Sequence, residues 1–307
     1  MTDLAKTTEV RPAPELGDIP EASKHKMRAA QRKARVRGLI KHVLLILGGF
    51  VMLYPLLWMV SSSFKPDALI FREPWLVPSE VTLDNYKLGW NALLHPFSHY
   101  LMNSFAIVFG AVLGNLVACS LAAYAFARLK FRLRNLWFAI MLMSIMLPIH
   151  VIIVPQYVLF SELGWINTFL PLVVPKFLAT DAFFVFLLVQ FFRGIPREID
   201  EAARIDGASH LGIFFRVMLP LAMPALATTA IFTFIWTWND FFGQLIFLTK
   251  PEMYTVPIAL RSFLDSTGQS SFGAMFAMSI VSIIPLFLVF LFGQRYLVRG
   301  IATTGLK

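Results

Sequence analysis

Apolar residues gather into six long runs, at about residues 42–64, 100–127, 136–160, 172–192, 222–249 and 273–297, with short polar stretches between them. A helix crosses the ~30 Å hydrocarbon core of a bilayer in roughly twenty residues, so each run predicts a membrane-spanning helix. The fourth run is the least regular, because Pro171, Pro175, Lys176 and Asp181 interrupt its start. Five or seven spans stay open on the pattern alone. Lys176 and Asp181 either pair with one another or mark the outer boundary of that span, and the boundary reading is favoured.

The polar stretch 193–220 is built rather than merely hydrophilic. Pro196 sits where a first helical turn tolerates a missing N–H, and Glu198, Asp200 and Glu201 place negative charge near the positive helix end. Gly207 suits the left-handed conformation that stops a helix. Ser209 suits the cap of a second short helix, which Pro220 closes. The pattern predicts two short helices outside the bilayer, with small Ala202 and Ala203 letting another surface approach closely.

Inside the predicted spans, polar residues are few. Thr229, Thr233, Trp236, Asp240 and Gln244 follow steps of four, three, four and four, which predicts one face of a single helix. A charge at mid-bilayer costs about 2.5–3.5 kcal/mol on insertion scales, so Asp240 is expected to face protein or water. Thr233, Trp236, Asp240 and Gln244 suit a sugar pathway, the ring against a pyranose face and the polar groups against hydroxyls. The same stripe also suits hydrogen-bonded glue between helices, worth about 0.6–2 kcal/mol per contact. Gly110, Gly114, Ala118 and Ala122 recur every four residues and predict close helix packing. Cys119 stands alone, which leaves no internal disulfide and points to packing. His150, beside Pro148, either lines a pathway or bonds a carbonyl that the proline frees. No phosphate-binding GxxxxGK[ST] loop, no metalloprotease His-Glu pair and no nucleophile elbow occurs in the chain. No cofactor is expected, and ATP would have to bind elsewhere.

Composition agrees with a bilayer protein: 57% apolar, 15% charged, mean hydropathy +0.68. The net charge of +9 would suit nucleic acid, but its distribution argues otherwise. Basic residues concentrate before the first run (ten Lys or Arg), in the loop 128–134, in the loop holding Arg193, Arg197, Arg204 and Arg216, and at Arg295, Arg299 and Lys307. The alternate loops hold few, which places both termini and the 193–220 hairpin in the cytoplasm. Residues 24–41 contain no acid and are expected to lie against anionic headgroups. Residues 1–22, rich in Pro, Ala and acid, are expected to be disordered, and no cleaved leader is expected. The division is a cytoplasmic tail 1–41, a membrane domain 42–298 and a C-terminal tail 299–307.

The spacing Glu201-Ala202-Ala203, three residues, Gly207, nine residues, Val217, one residue, Leu219-Pro220 resembles the EAA loop of permease subunits from binding-protein-dependent ABC importers. Val217 stands where isoleucine is usual. The fuller run Glu201 to Ser209 and the end Gln294 to Gly300 are similar to the carbohydrate-importing branch, and within it to the maltose-permease G-type subunits. The resemblance implies an all-α type I ABC importer transmembrane domain of about six helices in a bacterial or archaeal cytoplasmic membrane. It implies Glu201, Ala202, Ala203, Asp206, Gly207 and Ala208 as ATPase-coupling residues, with Glu201 meeting a basic ATPase residue. It further implies a second permease subunit, an ATPase dimer, an extracytoplasmic sugar-binding protein and a sugar substrate, with no enzyme activity on this chain. The outer loops 65–99 and 250–272, with Trp75, Trp90, Pro251 to Pro257 and Arg261 to Asp265, would meet the binding protein or simply sit at the interface as aromatic residues do. A stand-alone secondary transporter or channel is the alternative, with Asp181 and Asp240 as its ionisable candidates.

Overall fold

The computed structural model describes residues 21–264 and 271–302, with side chains described for 33, 35–264 and 271–296. Most of the segment expected to be disordered, residues 1–20, lies outside the described residues, as do Asp265 and Lys307. The chain divides into two compact units, one ending at Leu57 and one beginning at Trp58. The described part of the first unit is α1 (Glu21–Ser63) as far as Leu57, the end of that helix belonging to the second unit; its stretch Arg35–Ser63 is long and apolar enough to cross a membrane. Every side chain from Leu39 to Leu57 is exposed, the surface an all-round apolar helix offers to lipid or a partner helix. The basic stretch 24–41 is helical and forms the start of α1.

Among its described residues the second unit is built of helices joined by loops, with no strand. A short outer helix α2 (Asp84–Asn91) precedes the long α3 (Phe97–Arg128). Then come α4 (Arg134–Ser144), α5 (Ile149–Glu162), the single turn α6 (Leu170–Val173) and α7 (Ala182–Gly194). The hairpin holds α8 (Arg197–Ile205), α9 (His210–Ile213) and α10 (Leu219–Leu221), the last two joined by a π turn. The chain ends through α11 (Met223–Trp238), α12 (Phe242–Phe247), α13 (Val256–Arg261) and α14 (Phe272–Ala302).

Among the described residues four of the expected spans are long apolar segments, and the number reaches six if each of two bent helix pairs is one span. The third run is α4 and α5 meeting at 100°, where Pro148 cannot extend the preceding turn. The fifth is α11, set at 77° to the segment His210–Leu221. It does not continue to residue 249: α11 stops at Trp238, and Asp240 Oδ1 accepts from Gly243 N at 3.0 Å to start α12. Asn and Asp favour such local caps over helix interiors, so this dipeptide ends the helix that the stripe required.

Helix α3 is the central post, packed on α7, α11, α13 and the broken fourth span. Its buried positions Tyr100, Ser104, Ile107, Ala111, Asn115 and Cys119 recur at helical spacing. The small residues act as expected on that face. A Cβ on Gly110 would lie 2.8 Å from Val173, and one on Gly114 would lie 2.8 Å from Phe177. Cys119 is fully buried among apolar neighbours, in keeping with packing.

The outer loop 64–83 folds around Lys65, which is fully buried. Its Nζ donates to the carbonyls of Glu73 at 2.7 Å and Trp75 at 2.6 Å, while Asn85 Nδ2 donates to the carbonyls of Ser63 and Lys65. Ser79 donates to the Glu73 carboxylate through both Oγ and N, which holds its pKa below the ordinary carboxylate value. Lys65→Met leaves two carbonyls without their donor, a loss of about 1–3 kcal/mol. Limited proteolysis of the purified variant is expected to cut within residues 66–82 at enzyme doses that spare the wild type.

Candidate functional site

The hairpin carries the most explicit local construction in the chain. Pro196, with φ −56° and ψ 140°, stands just outside α8 as its N-cap. Gly207 has φ +83°, and a paired C-terminal closure follows: Gly207 N donates to Arg204 O and Ala208 N to Ala203 O. Ser209 Oγ then accepts from Gly212 N at 3.2 Å and caps α9. Gly207 and Ser209 thus play the expected parts, whereas Pro220 does not close the second helix: it sits in the first positions of α10 and the segment runs on to Leu221.

A buried ion pair that the sequence did not reveal as such fixes α8 to the spans. Arg128, at the end of α3, donates through Nη2 to the carbonyls of Phe192 and Ile195 at 2.6 Å each. Its Nη1 lies 3.4 Å from Asp200 Oδ2, and the two side chains are 3% and 7% exposed. One guanidinium therefore ties together α3, the end of α7 and α8. Tyr124, a turn earlier on α3, donates to the His210 carbonyl at 3.2 Å and packs against Phe214 and Phe192. In the sequence Arg128 read as one more positive-inside residue, and Asp200 as a helix-end charge. The spacing to a partner seventy residues away carries no local signal.

With Asp200 turned inward, the neighbouring Glu201 is exposed, as are Ala202, Asp206 and Gly207. Ala203 and Ala208 are half-buried and pack on the core beneath. Ile205 is 87% exposed, the most exposed large apolar side chain among the described residues, and Leu211 is exposed beside it. A carboxylate, an alanine and a bare isoleucine on a braced short helix, with Leu211 on the next, make a surface fit for a partner.

The pathway candidates do not share one face. Thr233 is buried and accepts from Asn115 Nδ2 at 3.1 Å. Gln244, on α12, is buried, donates to Thr237 O at 2.9 Å and bonds Thr255. Trp236 is exposed and lies against Phe183 and Phe184, and Asp240 is half-buried at the break. Of these four, Trp236 and Asp240 keep accessible surface, while Thr233 and Gln244 are buried and hydrogen-bonded within the protein.

Lys176 and Asp181 form an ion pair, which corrects the boundary reading. Nζ sits 3.0 and 2.9 Å from the two carboxylate oxygens, and Asn115 Nδ2 donates to Asp181 Oδ2 at 2.7 Å. The left-handed Ala179 (φ 54°) and the one-turn helices around Pro171 and Pro175 bend the chain so that the pair closes. His150 lies edge-on to Phe242 at 5.0 Å, an aromatic contact that neither earlier reading included. On the outer side, His99 Nε2 and Asn103 Nδ2 hold the Glu252 carbonyl, and Asn167 Oδ1 accepts from Thr249 and Lys250. The loop between α12 and α13 is thereby fixed in place.

A solved chain of a bacterial ABC transporter that imports the acidic polysaccharide alginate superimposes with a TM-score of 0.76 at 25% identity, covering 86% of this chain and 98% of that one. The fold is that of a type I ABC importer transmembrane domain, an all-helical membrane subunit. The model of the binding-protein-dependent transport system inner membrane component matches residues 114–303, and the chain belongs to that family. It is therefore a multi-pass permease subunit of the cell membrane. The trehalose/maltose transport system permease protein MalG of Thermococcus litoralis is 35% identical over 87% of this chain and 98% of its own. A protein named "Probable ABC transporter permease protein YurM", from Bacillus subtilis strain 168, is 35% identical over 83% of each.

Proposed function

We propose that this permease is one of two membrane halves of a sugar importer driven by ATP hydrolysis on separate ATPase chains. A sugar-binding protein delivers substrate on the outer side. The observation that carries the coupling role is the hairpin: α8 follows Pro196, is closed at its C-terminal end by Gly207 and is bolted through Asp200 and Arg128, while Glu201, Ala202 and Ile205 remain exposed. A partner that grips the exposed face moves the bolted spans with it. ATP drives this motion by binding the closed ATPase pair more tightly than the open one, and the spans respond as rigid bodies. Glu201, Ala202, Asp206 and Gly207 form the contact face, and Ala203 and Ala208 let α8 and α9 lie close to the core. The sugar class is supported by the name of the Thermococcus relative, and Trp236 and Asp240 are the pathway candidates that keep accessible surface.

The test is uptake of labelled sugar by cells carrying Glu201→Lys or Gly207→Leu. Both variants are expected to sit in the membrane fraction at normal amounts and to transport at background level. Gly207→Leu must force a Cβ into the left-handed region, which costs roughly 1–2 kcal/mol and unseats the hairpin closure. Wild-type uptake by both variants refutes the coupling role.

A further inference from the structure

We propose that the cleft between the start of α4 and the start of α8 binds the phosphate headgroup of an anionic phospholipid. The cleft is open, about 560 Å³, and is lined by Lys130, Arg134 and Arg197 with Phe131, Leu133 and Leu136. No acidic residue lines it. Two helices begin there, and each places an arginine at its first position, Arg134 on α4 and Arg197 on α8. Neither helix has a side-chain cap at its N-terminus. A cation at the positive end of a helix is electrostatically unfavourable, and here two such ends and a lysine converge. Of the acids near the start of α8, Asp200 is committed to Arg128, Glu198 does not line the cleft, and Glu201 lines the adjoining pocket with Lys130 and Arg197 rather than this one. A bound anion compensates all three charges together with the free N–H groups of the helix ends.

The surroundings identify the source of that anion as a lipid. Phe131, Leu133, Leu136 and Trp137 are all exposed around the cations. Alternating cations and bare apolar side chains at the start of a membrane-entering helix put the charges at headgroup depth and the apolar groups at acyl depth. A free phosphate would use the cations alone, whereas a lipid uses the cations through its headgroup and Leu136 and Trp137 through its chains. Because Arg197 opens α8, the headgroup also ties the coupling helix to the α3–α4 loop at the membrane surface.

The experiment places the full chain, in the complex with which it purifies, into nanodiscs of phosphatidylcholine with and without phosphatidylglycerol. Mass spectrometry counts the lipid that stays bound after mild detergent extraction. Wild type is expected to retain phosphatidylglycerol over phosphatidylcholine. The double variant Lys130→Gln/Arg134→Gln is expected to lose that preference about thirtyfold, from the loss of two surface cations. Lys130→Arg/Arg134→Lys is expected to keep it, which separates lost charge from lost folding. Arg132→Gln, a cation outside the cleft, is expected to keep it as well. The proposal is overturned if wild type shows no preference, if the double variant retains the lipid, or if Arg132→Gln weakens retention equally. It is also overturned if inorganic phosphate alone displaces the lipid at millimolar concentration.

Discussion

Arg128→Met is expected to abolish uptake while the chain still inserts in the membrane. The guanidinium is 3% exposed and serves three acceptors: the carbonyls of Phe192 and Ile195 and the Asp200 carboxylate. Methionine fills a similar volume but leaves Asp200 as a buried charge with no cation beside it. Breaking one side of a buried pair typically costs about 3–5 kcal/mol, several times the worth of an exposed ion pair. The chain has a cheaper escape than unfolding, which is to let α8 swing out so that Asp200 reaches water. That escape detaches the hairpin from α3 and α7, and the loss falls on coupling before it falls on insertion. Arg128→Met/Asp200→Leu tests the attribution, because removing both charges can be nearly neutral. The double variant is expected to regain resistance to proteolysis at 196–219 that the single variant lacks. A single variant with normal uptake and normal resistance refutes the bolt.

Much of this was legible before any coordinates, for identifiable reasons. Spans rest on the length and hydropathy of local runs, and turn chemistry rests on single residues, so Gly207 and Ser209 acted where they stand. The proposed contact face could be picked out because Glu201, Ala202 and Gly207 lie within one short stretch. What failed was inference across a break. The stripe Thr229 to Gln244 assumed one helix, and Asn239 and Asp240 ended it, turning Gln244 toward Thr255. The bolt and the intramembrane ion pair depend on residues brought together by tertiary structure, such as Asn115 with Asp181 and Arg128 with Asp200. No local pattern encodes those meetings. Lys176 and Asp181 are near in sequence, yet five residues apart in a straight helix they would not meet face to face. The left-handed Ala179 between them supplies the bend, and alanine gives no sign of it.

The intramembrane pair sets the second large effect: Asp181→Leu is expected to cut the amount of chain in the membrane severalfold. Lys176 and Asp181 lie inside the span Leu170–Gly194, and both side chains are about a quarter exposed. Without the carboxylate, Lys176 becomes a lone ammonium within that span, at about 2.5–3.5 kcal/mol on insertion scales. Asn115, fully buried, loses its charge-assisted acceptor as well. Lys176→Met/Asp181→Leu removes the lone charge and is expected to restore the amount of chain close to wild type, leaving the Asn115 contact to Thr233 intact. Transport separates two roles for the pair. If it serves packing alone, the double variant imports normally once its amount is restored. The pair, however, keeps its exposed edge on the same helix start that presents Phe183 to Trp236, where a hydrated path is the alternative to lipid for so much charge. The expected outcome is therefore restored chain with uptake still lowered at least tenfold, measured per molecule in the membrane, the equivalent of about 1.4 kcal/mol in the transport barrier.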